Sequence, residues 1–465
     1  MQIRRALEEA TEDEEDIHVC IFNVPKTLRD ANPDAYTPQL VAFGPYHHWH
    51  PELQDMERYK LSSAKRILNQ NPSVKFDTIV DRLIRFESRI RARYHKYLDI
   101  SGETLAWMMV IDASFLLEVI GMYAINKRNM LARASSRMSH LIDYERRKSS
   151  SHNAILRDII MLENQIPLFV LREILEYLCT SVDSIDETLH SMLIGLYKHL
   201  CPFRFVHELP NVQPSICEHL LDFFYRNIVP RLEETVEVSD HSIDEGANEE
   251  KKGCKFLMKL SQCLQQIPLR IMLGLPWVFI SNLPGVTMLK ALLLSKEECQ
   301  NNLDNVIESR QSQSNKPPLV EEITIPSVVE LSNSGVIFCP TDGDLMTISF
   351  DPEKPKFYLP TISLDHNSEV LFRNLVAYEA SIGLRSLVFT RYTELMNGII
   401  DTKDDVRVLR ERGIILNYLK SDEEVADLWN GMSRSLRLTK VPFLDEVIEN
   451  RFERAVSRLE QVGAG

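Results

Sequence analysis

The densest group of side chains able to do chemistry is Gly44-Pro45-Tyr46-His47-His48-Trp49-His50, which places three imidazoles within four residues. Metal ligands on a helix usually recur at i and i+4, but the prolines in and after this segment favour a loop. On an extended segment His48 and His50 would converge while His47 would point away. We therefore expect no metal and no cofactor here. The imidazoles and the Tyr46 hydroxyl are predicted to bond backbone groups and hold a turn.

A second group lies in the segment Asp158–Leu171 (DIIMLENQIPLFVL), where Glu163, Asn164 and Gln165 interrupt an apolar run. An enzyme would use Glu163 as a general base with a raised pKa. A structural protein would use the three side chains as a polar network that satisfies backbone groups freed by Pro167. We favour the structural network, with no catalytic residue assigned.

An enzyme remains the alternative hypothesis. The sequence contains no GxSxG elbow, no P-loop and no GxGxxG motif. A hydrolase or transferase would have to be built from Glu57, Asp112, Glu163 and His48. Whether these four side chains converge in one concave pocket or scatter through the core separates the two hypotheses.

The elements that must position these residues belong to a protein of ordinary globular composition. The chain has 465 residues, of which 44% are hydrophobic and 26% charged. Lysine and arginine number 53 against 67 aspartates and glutamates, so the net charge is −14. Binding to nucleic acid is therefore not expected, because phosphates are neutralised by clustered cations.

Cysteine spacing and hydropathy favour a reduced, soluble protein. The eight cysteines form no CxxC pair, which argues against a zinc site or a disulfide framework. No apolar signal sequence opens the chain, and its charged end has no anchor. Ile271–Leu289 is an uncharged run of 19 residues, long enough to span a bilayer. Because it contains Pro276 and Pro284, we predict a buried, irregular core segment.

Charge and helical periodicity suggest how the chain is organised. Thr104–Asn126 is apolar nearly all round and predicts a buried helix, in which Asp112 and Glu118 need partners. Asn153–Tyr177 predicts a long helix that Pro167 kinks or divides. Five regions follow: an acidic disordered leader (1–16), a helical N-terminal part (17–232), an acidic flexible insertion (233–255), a C-terminal part with a small sheet followed by helices (256–450), and a tail (451–465).

Strand signals are confined to one region. Short β-favouring runs occur at Gly335–Phe338, Leu345–Phe350 and Lys356–Leu359, with turn sequences between them. They predict a small antiparallel β-meander near residues 335–360. The predicted fold class is therefore mainly α, a large helical globular fold with this small meander.

The motifs also carry a family resemblance. The residues concerned are Val24-Pro25-x-x-Leu28-Arg29, Tyr36-x-Pro38, Gly44-Pro45-Tyr46-His47-His48, Met56-Glu57-x-x-Lys60, Met108-Met109-Val110-Ile111-Asp112, Phe115-Leu116-Leu117-Glu118, Asp158-Ile159-x-Met161-Leu162-Glu163-Asn164-Gln165-Ile166-Pro167, Leu371-Phe372-Arg373-Asn374-Leu375-x-Ala377-Tyr378-Glu379, Gly413-Ile414-x-x-Asn417-Tyr418-Leu419 and Ser421-Asp422-Glu423-Glu424-Val425-Ala426. In these motifs, which follow one another in the order of the family, the chain resembles the plant DUF247 family, also called UPF0481, from about residue 20 to 435. This chain departs at Trp49, where members commonly have glycine, and at its end, where members usually carry a membrane-anchoring helix.

The resemblance implies a recognition or signalling protein and not an enzyme. Grass members similar to this chain are associated with self-incompatibility loci, where they are candidate pollen-side determinants of self and non-self. The implied partner is a protein, such as a small secreted pistil protein, bound through charged surface loops. A homodimeric scaffold is a further alternative. The expected location is soluble and cytoplasmic for the chain as given, with membrane contact in the family made through the C-terminal helix.

Overall fold

A computed structural model describes residues 18–69, 75–125, 150–178, 182–205, 212–229, 325–384, 386–432, 439 and 441–448. The chain divides into one compact unit made of Met1–Arg231 and Glu321–Gly465, and a second made of Leu232–Val320. All described residues belong to the first unit. Several predictions fall outside the described residues: the leader (1–16), the acidic insertion (233–255), the apolar run Ile271–Leu289 and the tail (451–465).

Helices dominate the described residues, and the predicted fold class is confirmed. The strands are short and form two small sheets. The helices are α1 (Lys26–Ala31), α2 (Glu57–Asn69), α3 (Phe76–Arg85), α4 (Glu87–Ala92), α5 (Gly102–Gly121), α6 (Ser150–Asp158), α7 (Leu168–Glu176), α8 (Val182–Leu200), α9 (Leu220–Ile228), α10 (Val328–Asn333), α11 (His366–Ser381), α12 (Val388–Ile399), α13 (Lys403–Glu411), α14 (Asp422–Asn430) and α15 (Pro442–Asp445). The strands are β1 (Ile337–Thr341), β2 (Ser349–Asp351), β3 (Lys356–Pro360), β4 (Ile362–Leu364) and β5 (Ile415–Asn417).

Helix α5 is the buried helix that the sequence predicts near residue 104. Ser101 caps it by accepting a hydrogen bond from Thr104 N at 3.1 Å. Helices α2, α3, α7 and α8 all pack against it. Among the described helices it is the one long and apolar enough to cross a membrane, but 83% of its most apolar window is buried inside the protein. In this fold α5 is therefore a core helix, and its two acids must find partners within the core.

The predicted long helix is divided into two by a segment that ends at Pro167. Helix α6 ends at Asp158, a 3₁₀ turn covers Leu162–Asn164, and α7 begins directly after Pro167. Proline suits this position, because it has no amide hydrogen to donate within the first turn. The break leaves residues 159–167 outside any α-helix, and this segment carries Glu163, Asn164 and Gln165.

Helix α11 joins the two ends of the described chain into one folded unit. Asn374 Oδ1 accepts a hydrogen bond from Leu162 N at 2.8 Å, and Asn374 Nδ2 donates to Ala35 O at 2.8 Å. On the same helix, Glu369 accepts a hydrogen bond from Asn32 Nδ2 at 3.1 Å. The segments before residue 231 and after residue 321 are therefore packed together.

The sheet near residues 335–360 is present, but its pairing corrects the predicted antiparallel meander. The strand order is β1-β3-β2, with β2 antiparallel and β1 parallel to β3. The β1–β2 connection contains a 3₁₀ turn with a fully buried Leu345. Gly343 N also donates to Arg204 O at 3.0 Å. This anchored connection crosses to the far edge of β3 and does not form a tight hairpin. The second sheet, a parallel pair of β4 and β5, was not predicted.

Candidate functional site

The candidate site is the loop Phe43–His50 together with the buried polar side chains beneath it, which we call the braced loop. The loop turns back on itself, since His50 N donates to His47 O at 3.0 Å. Gly44 has a φ of 68°, and a Cβ there would lie 2.9 Å from Tyr94 Oη and 3.0 Å from Gln165 O. Only glycine combines this backbone conformation with such a close approach.

Asp112 fixes the base of the braced loop from the middle of α5. It is fully buried, and its Oδ2 accepts a hydrogen bond from Gly44 N at 2.9 Å. Its Oδ1 accepts one from Lys60 Nζ at 2.5 Å. The ammonium of Lys60 also donates to Ala42 O at 2.8 Å and lies 2.5 Å from Glu57 Oε1. Lys60 thus satisfies its three donors without contacting water.

The carboxylates of this cluster keep Lys60 protonated. Burial alone would lower the pKa of Lys60, but Asp112 and then Glu57 outweigh burial and raise it, so the ammonium stays charged. His48 Nδ1 lies 4.0 Å from Glu57 Oε1 at the outer end of the cluster. Three of the four residues proposed for an enzyme, Glu57, Asp112 and His48, therefore meet around Lys60.

Glu163, the fourth of those residues, lies in a neighbouring cluster. Its Oε1 accepts a hydrogen bond from Val24 N at 2.7 Å and another from the guanidinium of Arg29. Its Oε2 faces His47 Nε2 at 3.3 Å. Both oxygens of this buried carboxylate thus have partners, and one partner is the backbone. The paired histidines therefore face different carboxylates, His47 that of Glu163 and His48 that of Glu57.

Asn164 and Gln165 hold backbone on both sides of the helix break at Pro167. Asn164 Oδ1 accepts from Phe43 N at 2.7 Å, and its Nδ2 donates to Val41 O and to Asp158 O, each at 2.9 Å. Gln165 Nε2 donates to the carbonyls of Ile159 and Met161, each at 2.8 Å. Gln165 Oε1 accepts a hydrogen bond from Leu221 N at 3.1 Å. These amide side chains replace backbone partners that the broken helix cannot provide.

Asp158 completes the bracing of the loop. Its carboxylate accepts hydrogen bonds from three consecutive amides, those of Gln39, Leu40 and Val41, at 2.7 to 3.0 Å. Burial raises the pKa of Asp158 to about 6, although the three amide donors act in the opposite direction. The chain that enters the braced loop is therefore held by a carboxylate at the end of α6.

The outer side of the braced loop contains Tyr46 and Trp49. The Tyr46 hydroxyl donates to Ile21 O and accepts from Lys96 N, each at 3.0 Å. Trp49 packs edge-on against the His48 ring, with ring centroids 4.5 Å apart, but 63% of the residue remains exposed. Phe43 is buried, and Tyr46, His47 and His48 are half-buried. Among the large apolar side chains of this loop, the indole alone is strongly exposed.

The arrangement of the imidazoles differs from the expectation for an extended segment. His47 and His50 approach each other, with ring centroids 6.2 Å apart, because the loop forms a turn. The expectation that His47 would point away was based on an extended backbone and was wrong. Among the described residues, no group of three or more His, Cys, Asp or Glu side chains is placed to hold a metal ion.

Sequence reasoning missed the structural role of Lys60, and of Arg29 and Asp158. A signal for Lys60 was present, because Met56, Lys60 and Ala64 recur at helical spacing and all three are buried. A lysine on the apolar face of a helix requires a buried carboxylate, and Asp112 was the available one. The pairing of Arg29 with Glu163, separated by 134 residues, had no comparable local signal.

Comparison with known proteins places this architecture in a family. The model of the family DUF247, described as plant protein of unknown function, matches residues 21–460. The chain belongs to the DUF247 family. Two Arabidopsis thaliana proteins described as UPF0481 proteins are similar to it. One is 44% identical over 97% of the DUF247 chain and 86% of its own length. The other is 23% identical over 90% of the DUF247 chain and 73% of its own length. No solved structure matches the DUF247 chain significantly.

Proposed function

We propose that this protein is a recognition protein, not an enzyme, and that it binds a partner protein through the braced loop. The observation that supports this proposal is the exposure of Trp49 above a rigid base. Tryptophan is enriched among the residues that dominate binding energy at protein interfaces. A large aromatic side chain held on a fixed backbone loses little conformational entropy when it binds, so a braced loop suits this role.

The chemistry beneath the loop supports the same proposal. Asp112 accepts a hydrogen bond from a backbone amide of the loop, and Asp158 accepts them from the chain leading into it. Glu163 accepts one from the backbone amide of Val24. A general base needs a lone pair directed at a substrate proton. These carboxylates direct their lone pairs at the protein's own backbone, which is how a structural brace uses them.

The family resemblance suggests a more specific role. We propose that the chain acts as a pollen-side determinant of self and non-self, and that its partner is a small protein secreted by the pistil. The test uses the full chain, immobilised and exposed to secreted pistil proteins from compatible and incompatible genotypes. Capture of one small protein from only one class of genotype is the expected result. Equal capture from both classes would contradict the role in self-incompatibility.

The braced loop is tested with matched variants. Trp49→Ala removes the exposed indole, and Tyr418→Ala removes another aromatic side chain, 68% exposed. Truncating a binding hot spot typically costs about 2 kcal/mol or more, so Trp49→Ala should weaken capture of the partner by at least roughly thirtyfold. Tyr418→Ala should leave capture unchanged. If both variants bind like the unmodified chain, the partner contacts another surface.

An enzyme stays the second candidate, because His48, Glu57 and Asp112 do meet around Lys60. A hydrolase or transferase would place its substrate at the outer end of this cluster, beside His48. The test is a screen of ester, phosphoester and glycoside substrates with the unmodified chain and with His48→Gln. Turnover that His48→Gln abolishes, without a change in stability, would replace the recognition proposal.

A further inference from the structure

A second exposed surface lies beside the braced loop, where the start of the described chain runs along residues 93–97. His95 N donates to Ile21 O at 2.9 Å, and Ile21 N donates to Arg93 O at 2.9 Å. The hydroxyl of Tyr46 bridges the two segments through Ile21 O and Lys96 N. Backbone pairing and the Tyr46 hydroxyl therefore hold this surface in place.

Aromatic side chains and one lysine make up this surface. The Phe22 and His95 rings contact each other with centroids 6.0 Å apart. Lys96 Nζ lies 5.9 Å from the centroid of the Tyr46 ring, within the range of a cation–π contact. Tyr97 is 46% exposed. We call this set of five residues the aromatic–lysine face.

The aromatic–lysine face carries one positive charge, that of Lys96. Lys96 is exposed, and it makes no ion pair within the part of the chain that the structure describes. The carboxylate nearest to Tyr46 in the braced loop, Glu163, is buried and already faces Arg29 and His47. Lys96 therefore leaves a positive charge beside aromatic rings that no described carboxylate pairs with.

The following inference rests on the proposed function in recognition and concerns the chemistry of the partner protein. We propose that the aromatic–lysine face binds an acidic segment of a partner protein. A carboxylate of that segment pairs with Lys96, and its apolar side chains lie on Phe22, Tyr46 and Tyr97. The long-range attraction orients the encounter, and the aromatic contacts supply the buried area.

The test measures binding of three short fluorescent peptides to the full chain by anisotropy. The peptides share their apolar residues and differ only in their remaining positions, which are acidic, neutral or basic. The acidic peptide should bind about tenfold more tightly than the neutral one, and high salt should reduce this preference. The basic peptide should bind most weakly.

Charge reversal then locates the site. Lys96→Glu should transfer the preference to the basic peptide, whereas Lys354→Glu, at an exposed lysine in the β2–β3 turn, should not. Equal binding of all three peptides, or an unchanged preference in Lys96→Glu, would overturn the inference. So would acidic-peptide binding that appears only after the acids of residues 8–16 are replaced, because the chain's own leader would then be the occupant.

Failure of this inference can be told apart from failure of the proposed function. If no peptide binds but Trp49→Ala still abolishes capture of a protein partner, recognition through the braced loop stands and the acidic partner does not. If the acidic peptide binds through Lys96 and no protein partner depends on Trp49, the face is a binding site separate from the braced loop.

Discussion

Lys60 Nζ lies 2.5 Å from Asp112 Oδ1, and neither side chain is exposed to water. The pair joins α2 to the central core helix α5. Asp112 also accepts a hydrogen bond from Gly44 N at the base of the loop. This buried ion pair thus connects the base of the braced loop to two core helices. Such pairs contribute little net stability, but breaking one is costly because the remaining charge stays buried.

We first predict that Lys60→Met strongly destabilises the protein. The substitution leaves the buried Asp112 carboxylate without its cation, and loss of one partner of a buried pair typically costs about 3–5 kcal/mol. Urea unfolding of the full chain measures the change in free energy of unfolding. Lys65→Met, at an exposed position of the same helix, is the control and should shift it by less than about 0.5 kcal/mol. Equal effects of the two variants would contradict a structural ion pair.

Second, Glu163→Gln should change stability and not turnover. The neutral amide has one acceptor oxygen and no charge, so Val24 N and Arg29 lose the carboxylate to which they donate. A hydrogen bond to a charged group contributes roughly 1.5–3 kcal/mol, and we expect a loss of this order in urea unfolding. Unchanged stability combined with loss of a defined turnover would instead identify Glu163 as a catalytic base.

Third, Gly44→Ala should be more damaging than Gly413→Ala. Both glycines have a positive φ, 68° and 76°, so alanine strains the backbone at each by about 1–2 kcal/mol. A Cβ at Gly44 would also press on the Tyr94 hydroxyl and on Gln165 O, whereas nothing lies within 4 Å of a Cβ at Gly413. Both variants should unfold at a lower temperature, Gly44→Ala by the larger amount, and partner capture should be impaired in Gly44→Ala alone. Equal destabilisation would show that the loop can move to accept the methyl group.

Fourth, stability should depend on pH through His219. Its Nδ1 accepts a hydrogen bond from Asp222 N, so its Nε2 donates to Cys20 O at 3.0 Å, as the neutral imidazole does. Burial lowers the pKa of His219 from 6.5 to about 4. The unfolded chain therefore takes up this proton first as the pH falls. The contribution of His219 is fully present above about pH 6.5, and roughly 3 kcal/mol of it is lost as the pH falls to 4.

The measurement compares urea unfolding of the unmodified chain and His219→Asn across this pH range. Asp158 acts with the opposite sign, because burial raises its pKa to about 6 and the folded state binds that proton first. Its contribution is common to both chains and cancels in the difference. The stability advantage of the unmodified chain should shrink by about 3 kcal/mol between pH 6.5 and 4. A constant difference in stability would mean that His219 has the same pKa in the folded and the unfolded chain.

The sequence by itself determined the features that depend on residues close together in the chain. Helical periodicity and the length of apolar runs predicted the mainly α fold and the core helix around Asp112. Pro167 indicated where α7 begins, because a missing amide hydrogen has its effect within one turn, but it did not indicate that α6 ends at Asp158. The β-favouring runs near residues 335–360 located the first sheet, and ordered motifs along the chain indicated the family.

Only the tertiary structure decided which distant groups meet. Strands of three residues, such as β4 and β5, give no clear local signal, and their pairing joins residues about fifty positions apart. The same holds for the parallel placement of β1, which depends on an anchored crossing connection. Lys60 with Asp112, and Arg29 with Glu163, pair across 52 and 134 residues. Charge and burial require that each of these groups has a partner, but only the packing of the helices selects which one.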